Sequence, residues 1–428
     1  MDFGRSDHPG VQSQLDRLAD LSVPDGRLGL DTIRDVLARL GDPHLHLPPV
    51  FHVAGTNGKG SVCAFLRAML EADGKSVHVT TSPHLVRYNE RIRVAGKLVS
   101  DEELEALLQE VLDASIGQGP SFFEVTIAAA FLAFSRTPAD SCVVEVGLGG
   151  RFDATNVLKQ PAVCGIAALG IDHERFLLTP ERGAPDDPIS RIAFEKAGIA
   201  KPGSPLVTLD YDEGPTLEIE RAVLRVGTAL KMRGREWHAS LDVAGLHYAD
   251  FDGALELPTP ALPGAHQALN AALAVAMLRH QQQISISREA MAEGIRSARW
   301  PARLQRLSDG PLAAKREVWL DGGHNPSAGE ILARHFAGQR VHLVLGMLDN
   351  KNPDALLGPL QGNVASLTVV PVPGHPCHQL EAFGSNGVAA HDVPEALAAL
   401  PEDQLPVLIA GSLYLAGEVL RLNNELPD

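Results

Sequence analysis

The stretch His52-Val53-Ala54-Gly55-Thr56-Asn57-Gly58-Lys59-Gly60-Ser61 decides the fold, because it sets a glycine-rich turn between two apolar segments of different period. Pro49 to Ala54 reads as a strand, and Val62 to Ala72 carries apolar residues at helical spacing, giving strand, loop, helix. A loop so placed aims its amides at an anion at the positive end of the helix. Lys59 adds a point charge, and Ser61 adds a hydroxyl suited to Mg2+. The lysine precedes the last glycine instead of following it, so the order departs from the common nucleotide loop. Glycine spacing alone is as often structural as functional; Lys59 and Ser61 turn the reading toward phosphate.

Outward from this loop, Val77 to Thr81 reads as a second strand, and Ser100-Asp101-Glu102-Glu103 as a capping box opening a helix to Leu112. Ser141 to Val146 and Ala162 to Leu169 are continuous apolar runs bounded by glycine, as parallel strands buried on both faces require. Val125 to Phe134 is the longest apolar stretch; at well under the roughly 20 residues of a bilayer span it reads as a buried helix. The alternation implies an α/β fold built on a doubly wound sheet. Ala265 to Arg279 and Ser287 to Ser297 read as helices, and Trp300-Pro301-Ala302-Arg303 then breaks the pattern. We expect a domain boundary near residue 298, with a first domain over 1–298 and a smaller α/β domain over 299–428. The strands of the latter are Val318 to Leu320, Val341 to Leu345, Ser366 to Val370 and Leu405 to Ile409. Asp210 to Asp252 is less regular and reads as a β ribbon inserted in the first domain.

Composition agrees with two domains: 428 residues at 45% hydrophobic exceed one ordinary core. Lys and Arg number 37 against 53 Asp and Glu, and the resulting charge of -16 repels a phosphate backbone, which excludes nucleic acid as a partner. An anionic ligand must then be held by local amides, a metal or a few converging cations. Met1 to Gly10 is polar, with Asp2, Arg5 and Asp7, and is expected to be neither signal peptide nor membrane anchor, so the protein should be cytoplasmic. Cys63, Cys142, Cys164 and Cys377 lie far apart, and disulfides are not expected. His375, Cys377 and His378 read as a polar loop, since structural zinc needs four ligands at definite spacing.

Glu145 ends an apolar strand and precedes Gly147, Gly149 and Gly150, which puts a carboxylate at the carboxyl edge of the sheet. With Ser61 and Ser82 it offers the hard oxygen donors Mg2+ prefers. His173 is an unusual Mg2+ ligand by chemistry and reads on its own as a polar loop histidine. Lys196, beside Glu195 in a helical pattern, reads on its own as a solvated charge. No Ser-His-Asp or Cys-His nucleophile pattern is evident.

The opening stretch closely resembles the loop of the folylpolyglutamate synthase and dihydrofolate synthase family, relatives of the Mur peptidoglycan ligases. The resemblance continues in Thr81 to Leu85, Asn89 to Ile92, Glu145 to Asn156, Asp172-His173, Glu195 to Ile199, His266 to Ala271 and Asp321 to Pro326. It implies a P-loop-type doubly wound ATPase domain over 1–298, a Rossmann-like C-terminal domain over 299–428, and an ATP-dependent ligase that joins L-glutamate to dihydropteroate, or to the γ-carboxylate of a reduced folate, through an acyl phosphate. A bifunctional enzyme is expected, with a monofunctional folylpolyglutamate synthase as the alternative. By the same resemblance Asn57, Gly58, Lys59, Gly60, Ser61, Asn270, Arg303, Asp321 and His324 serve ATP in an interdomain cleft that would favour closure. Ser61, Ser82, Glu145, His173 and Lys196 serve the metal, with Lys59, His173 and Lys196 catalytic. The matching lysine of the family carries a carbamate, which requires an amine kept partly neutral. Ser82, His84, Arg91, Phe152 and Asp153 are expected at the substrate; Arg91 would face a carboxylate, with a surface salt bridge to Glu90 as the plain alternative. Two departures stand out: Glu181 to Pro188 looks longer than the family connection, and Gly323 replaces an alanine. A Mur ligase is the nearest rival, yet the 54 residues before Gly55 are too few for its additional domain. A non-enzymatic nucleotide switch is disfavoured by the Asp321 to Pro326 motif. A monomer is expected.

Overall fold

The computed structural model describes residues 4–21, 29–384 and 387–427, so Met1–Phe3 of the polar start lie outside the described residues. The β-branched runs read above become strands because both of their faces are covered. The first sheet comprises β1 (Val50–Ala54), β2 (Val77–Thr80), β3 (Ile92–Val94), β4 (Lys97–Leu98), β5 (Ser141–Glu145), β6 (Val163–Ile166), β7 (Leu206–Thr208) and β8 (Leu230–Met232). Their order is β4-β3-β2-β5-β1-β6-β7-β8, parallel from β2 to β8 with an antiparallel hairpin, β3 and β4, at one edge. Every residue of β1, β2, β5 and β6 is buried, which is why these strands lack polar alternation.

Ser121 caps the helix Phe122–Arg136 reciprocally with Glu124, and Val125 through Phe134 are all buried. The helix Arg288–Ser297 lies against the helix Lys59–Ala72 so closely that a Cβ on Gly294 would stand 2.4 Å from the Met69 backbone nitrogen. Asp210 to Asp252 corrects the ribbon expectation. Glu213–Val226 is a helix whose Ile219, Ala222 and Val223 are buried at helical spacing, and β8 joins the main sheet. The ribbon begins only at Trp237, as β9 (Trp237–Asp242), β10 (Gly245–Asp250) and β11 (Gly253–Leu257), all antiparallel. It is fastened by Arg279, whose Nε and Nη2 donate to Asp250 at 2.6 and 2.5 Å.

The chain divides into two compact units, Met1–Ala261 with Gln267–Arg299, and Leu262–His266 with Trp300–Asp428. The second holds β12 (Gln305–Arg306), β13 (Val318–Leu320), β14 (Val341–Leu345), β15 (Val364–Val369), β16 (Gly387–Ala389) and β17 (Val407–Ala410). Their order is β12-β13-β17-β14-β15-β16, parallel except for β12. Leu332, Phe336, Leu343, Leu356 and Leu408 are part of its own core. Among the described residues no helix is long and apolar enough to cross a membrane. Cys63, Cys142 and Cys164 are buried free thiols, and Cys377 is free and partly covered.

Candidate active site

Between β1 and the helix Lys59–Ala72, Gly55 (φ 152°) and Gly58 (φ 85°) take conformations that L side chains rarely adopt. Space forbids a side chain as well: a Cβ would stand 2.9 Å from that of Ala167 at Gly55, and 2.5 Å from Asn270 Oδ1 at Gly58. The Thr56 and Asn57 amides donate to Ala168 O at 2.8 and 3.2 Å, and Thr56 Oγ1 donates to Gly170 O at 2.8 Å, which fastens the loop to the segment after β6. Lys59 Nζ donates to Thr56 O at 3.3 Å. Buried Ser61 accepts from Gln267 Nε2 at 3.3 Å, and Gln267 Oε1 accepts from Asn270 Nδ2 at 3.0 Å, so the loop, Ser61 and Asn270 form one cluster. Gln267 is not among the expected site residues, although it lies in the His266 to Ala271 motif, which was the available signal.

Parallel register places Glu145 beside Val53 at the end of β1. The Glu145 carboxylate is buried, and its Oε2 accepts from the Ser82 amide at 3.1 Å, so strand ends bring these two expected metal residues together. Among the described residues no group of three or more His, Cys, Asp or Glu is gathered to hold a metal. The Glu145 carboxylate with Ser82 beside it is what the structure brings together here, and a single carboxylate fits a hard divalent cation that keeps waters and phosphate oxygens as its other ligands.

Lys196 overturns the expectation of a solvated charge. It is 4% exposed, and its Nζ donates to Gly55 O at 2.8 Å. Burial, and then the charge of Lys59, push its pKa down to about 7, against the pull of Asp172, Asp153 and Glu195. The adjacent Glu195 is engaged by Arg151 through Nε (3.1 Å) and Nη2 (2.8 Å) and by Arg191 at 3.0 Å. Glu181, from the segment expected to be longer than the family connection, joins Arg151 (3.1 Å) and Arg191 (3.1 Å) in the same network. His173 stands with φ 54° at the start of the short helix Glu174–Leu177, its side chain half exposed and its Nε2 3.9 Å from Asp172 Oδ2.

After Ser82 the chain turns through the 3-10 helix Tyr88–Arg91. Glu90 accepts from the amides of Leu85 (2.7 Å), Val86 (2.9 Å) and Arg87 (2.6 Å), so it clamps the loop. The surface pair with Arg91 is thereby corrected: Arg91 is 1% exposed, donates from Nε to His84 Nδ1 at 2.9 Å, and faces the Tyr88 and Phe122 rings at 5.3 and 5.5 Å. Burial pushes His84 down to about 4, which leaves a neutral ring able to accept at Nδ1.

Buried Asp153 accepts from the amides of Leu148 (2.8 Å) and Thr155 (3.0 Å) and from Thr155 Oγ1, and so holds the turn that follows Glu145. Phe152 lies under the Arg151 guanidinium at 4.3 Å. Because Thr155 Oγ1 donates to Asp153, it accepts from His52 Nε2 at 2.9 Å, a partner the sequence did not reveal.

In the second unit, buried Asp321 follows β13 and accepts from the amides of Leu304 (2.8 Å) and Gly323 (2.7 Å). Arg303 Nη1 donates to Ala302 O at 3.2 Å, and His324 Nδ1 lies 3.3 Å from Gly322 O. His375 stacks on Tyr414 at 3.9 Å and His378 Nε2 contacts Lys351 O at 2.6 Å, so this loop has its own partners.

No family model matches the chain. It is 34% identical over 425 residues to the dihydrofolate synthase/folylpolyglutamate synthase of Escherichia coli K12, covering 96% of this chain and 95% of that one. It spans 50% of the probable bifunctional folylpolyglutamate synthase/dihydropteroate synthase of Halobacterium salinarum at 33% identity over 94% of its own length. Among solved structures, Escherichia coli FolC in complex with DHPP and ADP matches with a TM-score of 0.85 at 33% identity over 97% of each chain. A bifunctional folylpolyglutamate synthase/dihydrofolate synthase with Mn, AMPPNP and L-glutamate bound matches with a TM-score of 0.83 at 30% identity, over 98% of this chain and 99% of that one.

Proposed function

The chain belongs to the dihydrofolate synthase/folylpolyglutamate synthase family of ATP-dependent ligases, and from that premise we propose that it adds L-glutamate both to dihydropteroate and to the γ-carboxylate of reduced folates. The observation that carries the reading is the setting of Lys196. A buried amine bonded to the phosphate loop at Gly55 O shares the end of the parallel sheet with that loop, while Glu145 marks the same edge.

Amide formation from a carboxylate in water is uphill, so the carboxylate first takes the γ-phosphoryl group of ATP as a leaving group. The glutamate amine then attacks the acyl phosphate, and the tetrahedral oxyanion collapses with loss of phosphate. Lys59 and the amides of Gly58 to Ser61 are assigned to the charge on the transferred group. Asn270, Arg303 and His324 are assigned to the nucleotide, with Asp321 supporting them. Ser61, Ser82 and Glu145 would hold a divalent cation, for which we propose Mg2+; when bound it neutralises charge on the phosphate oxygens. On the substrate side, Ser82, His84 and Arg91 are assigned to the carboxylate-bearing end of the pterin substrate, with Phe152 and Asp153 shaping the adjoining turn.

Lys196 is proposed to be carbamylated. An amine with its pKa near 7 is partly neutral at physiological pH, can add to CO2 with loss of a proton, and becomes an anionic oxygen ligand. With His173 it would then hold a second cation. The protein is assigned to the cytoplasm as a monomer. The test supplies purified protein with ATP, Mg2+ and glutamate, adding dihydropteroate in one tube and tetrahydrofolate in another. Product in both supports the proposal; product in one alone reduces it to the corresponding single activity.

A further inference from the structure

Two residues with side chains stand in the left-handed region on either side of Arg303: Ala302 at φ 56° and Leu304 at φ 45°. Neither is the glycine or asparagine that usually tolerates this backbone, and both are buried, at 0% and 1% exposure. Such a turn persists only where its surroundings over-determine it, and it tends to occur where a side chain must be held in one place. The surroundings here are explicit. The Leu304 amide donates to Asp321 Oδ2 at 2.8 Å, the Ala302 amide donates to Gln305 Oε1 at 2.9 Å, and Ala302 O accepts from the Gly322 amide at 3.0 Å. Gln305 is itself fixed, since its Nε2 donates to Glu425 Oε2 at 2.8 Å while Glu425 Oε1 accepts from the Ser308 amide at 2.7 Å. At Gly322 a Cβ would stand 3.2 Å from Arg303 Nη1 and 2.2 Å from Leu413, so the missing side chain leaves room for the guanidinium.

We propose that Gln305 and Asp321 are positioning residues that clamp the strained turn Ala302–Leu304 and so hold Arg303 ready for the nucleotide. The clamp extends through Gln305 to Glu425, 120 residues away in the chain. This rests on the assignment of Arg303 to the nucleotide. Gln305 acts by keeping the Ala302 amide, and Asp321 by keeping the Leu304 amide, hydrogen bonded in a conformation the turn would otherwise leave.

The test uses the full chain with Arg303→Ala, Gln305→Ala, Asp321→Asn and the double variant Gln305→Ala/Arg303→Ala. For each, KM for ATP and kcat are measured, with amide hydrogen exchange over 302–305. Gln305→Ala is expected to raise KM for ATP about fivefold, the equivalent of one net hydrogen bond, with little change in kcat, and to speed exchange at Ala302 and Leu304. The double variant is expected to be no worse than Arg303→Ala alone, because a positioning residue has nothing left to position. Additive losses, or in Gln305→Ala a raised KM with unchanged exchange, overturn the proposal. For Asp321→Asn, a raised KM with unchanged exchange marks direct nucleotide contact and removes Asp321 from the clamp. If Arg303→Ala leaves KM for ATP unaltered, the nucleotide assignment fails and the proposal with it, while the exchange data still report whether the clamp exists. Should Gln305→Ala not fold, Glu425→Ala releases Gln305 from outside the turn and carries the same measurements.

Discussion

Lys196 is the residue at which burial and chemistry meet most directly. Its ammonium is removed from water and set near the charge of Lys59, and both effects favour the neutral amine. The sign of the resulting pH dependence follows from proton binding. Folded, the amine titrates at about 7; unfolded, at its ordinary 10.5, so between these values the unfolded chain holds a proton that the folded chain lacks. Stability therefore rises with pH across that window, by up to about 1.4 kcal/mol per pH unit well inside it, and is insensitive to this group below it. In CO2-free buffer, urea unfolding of the wild type and of Lys196→Met between pH 6.5 and 9.5 should show the wild type gaining on the variant as pH rises. A constant difference would place Lys196 in an ordinary solvated setting. The sequence identified this lysine through its motif alone; its solvated reading failed because the covering groups are remote, Gly55 lying 141 positions away.

At the level of elements, the helix behind the phosphate loop depends on close packing at Gly294. Two effects of Gly294→Ala oppose each other. Alanine favours a helix interior over glycine by about 1 kcal/mol. The added methyl would meet the Met69 backbone at 2.4 and 2.5 Å, which neither helix can relieve by turning a side chain, and overpacking of this kind costs about 1–3 kcal/mol or more. Packing should win, and thermal unfolding of Gly294→Ala should show a lower Tm than the wild type. An equal or higher Tm would mean that the two helices are free to separate. Period and capping made the helices over Ser100 to Leu112 and Ser287 to Ser297 legible, because Ser100 and Ser287 each accept from a first-turn amide of the helix they cap. The helix Glu213–Val226 was missed: Gly214 and Pro215 sit in its first turn and disguise its start, and its apolar face becomes evident only against the packed core.

Across the whole molecule, the net charge of -16 opposes the approach of ATP, folates and glutamate, all anions, while the site holds its own cations. These fields have different ranges. Local contacts act within a few ångströms and are barely screened, whereas the global field acts over tens of ångströms and is screened beyond about 8 Å at physiological ionic strength. Raising ionic strength from about 10 to about 150 mM at constant free Mg2+ should therefore raise kcat/KM for ATP. A fall would show that the local cations govern encounter as well as binding.

Features under short-range control are legible in the residues alone. Gly55 and Gly58 supply a turn at backbone conformations that L side chains rarely adopt. The unbroken apolar runs dictate buried parallel strands, and the motif order from Gly55 to Pro326 carried the family. Tertiary structure alone decided which polar groups lose water and which partners they gain. It buried Arg91 against His84 and the Tyr88 and Phe122 rings in place of a surface pair with Glu90, and it linked His52 through Thr155 to Asp153. It also held Ala302 and Leu304 in left-handed turns around Arg303. The physical reason is common to all of these: desolvation and strain depend on atoms brought close by the fold, and those atoms belong to residues that no local pattern connects.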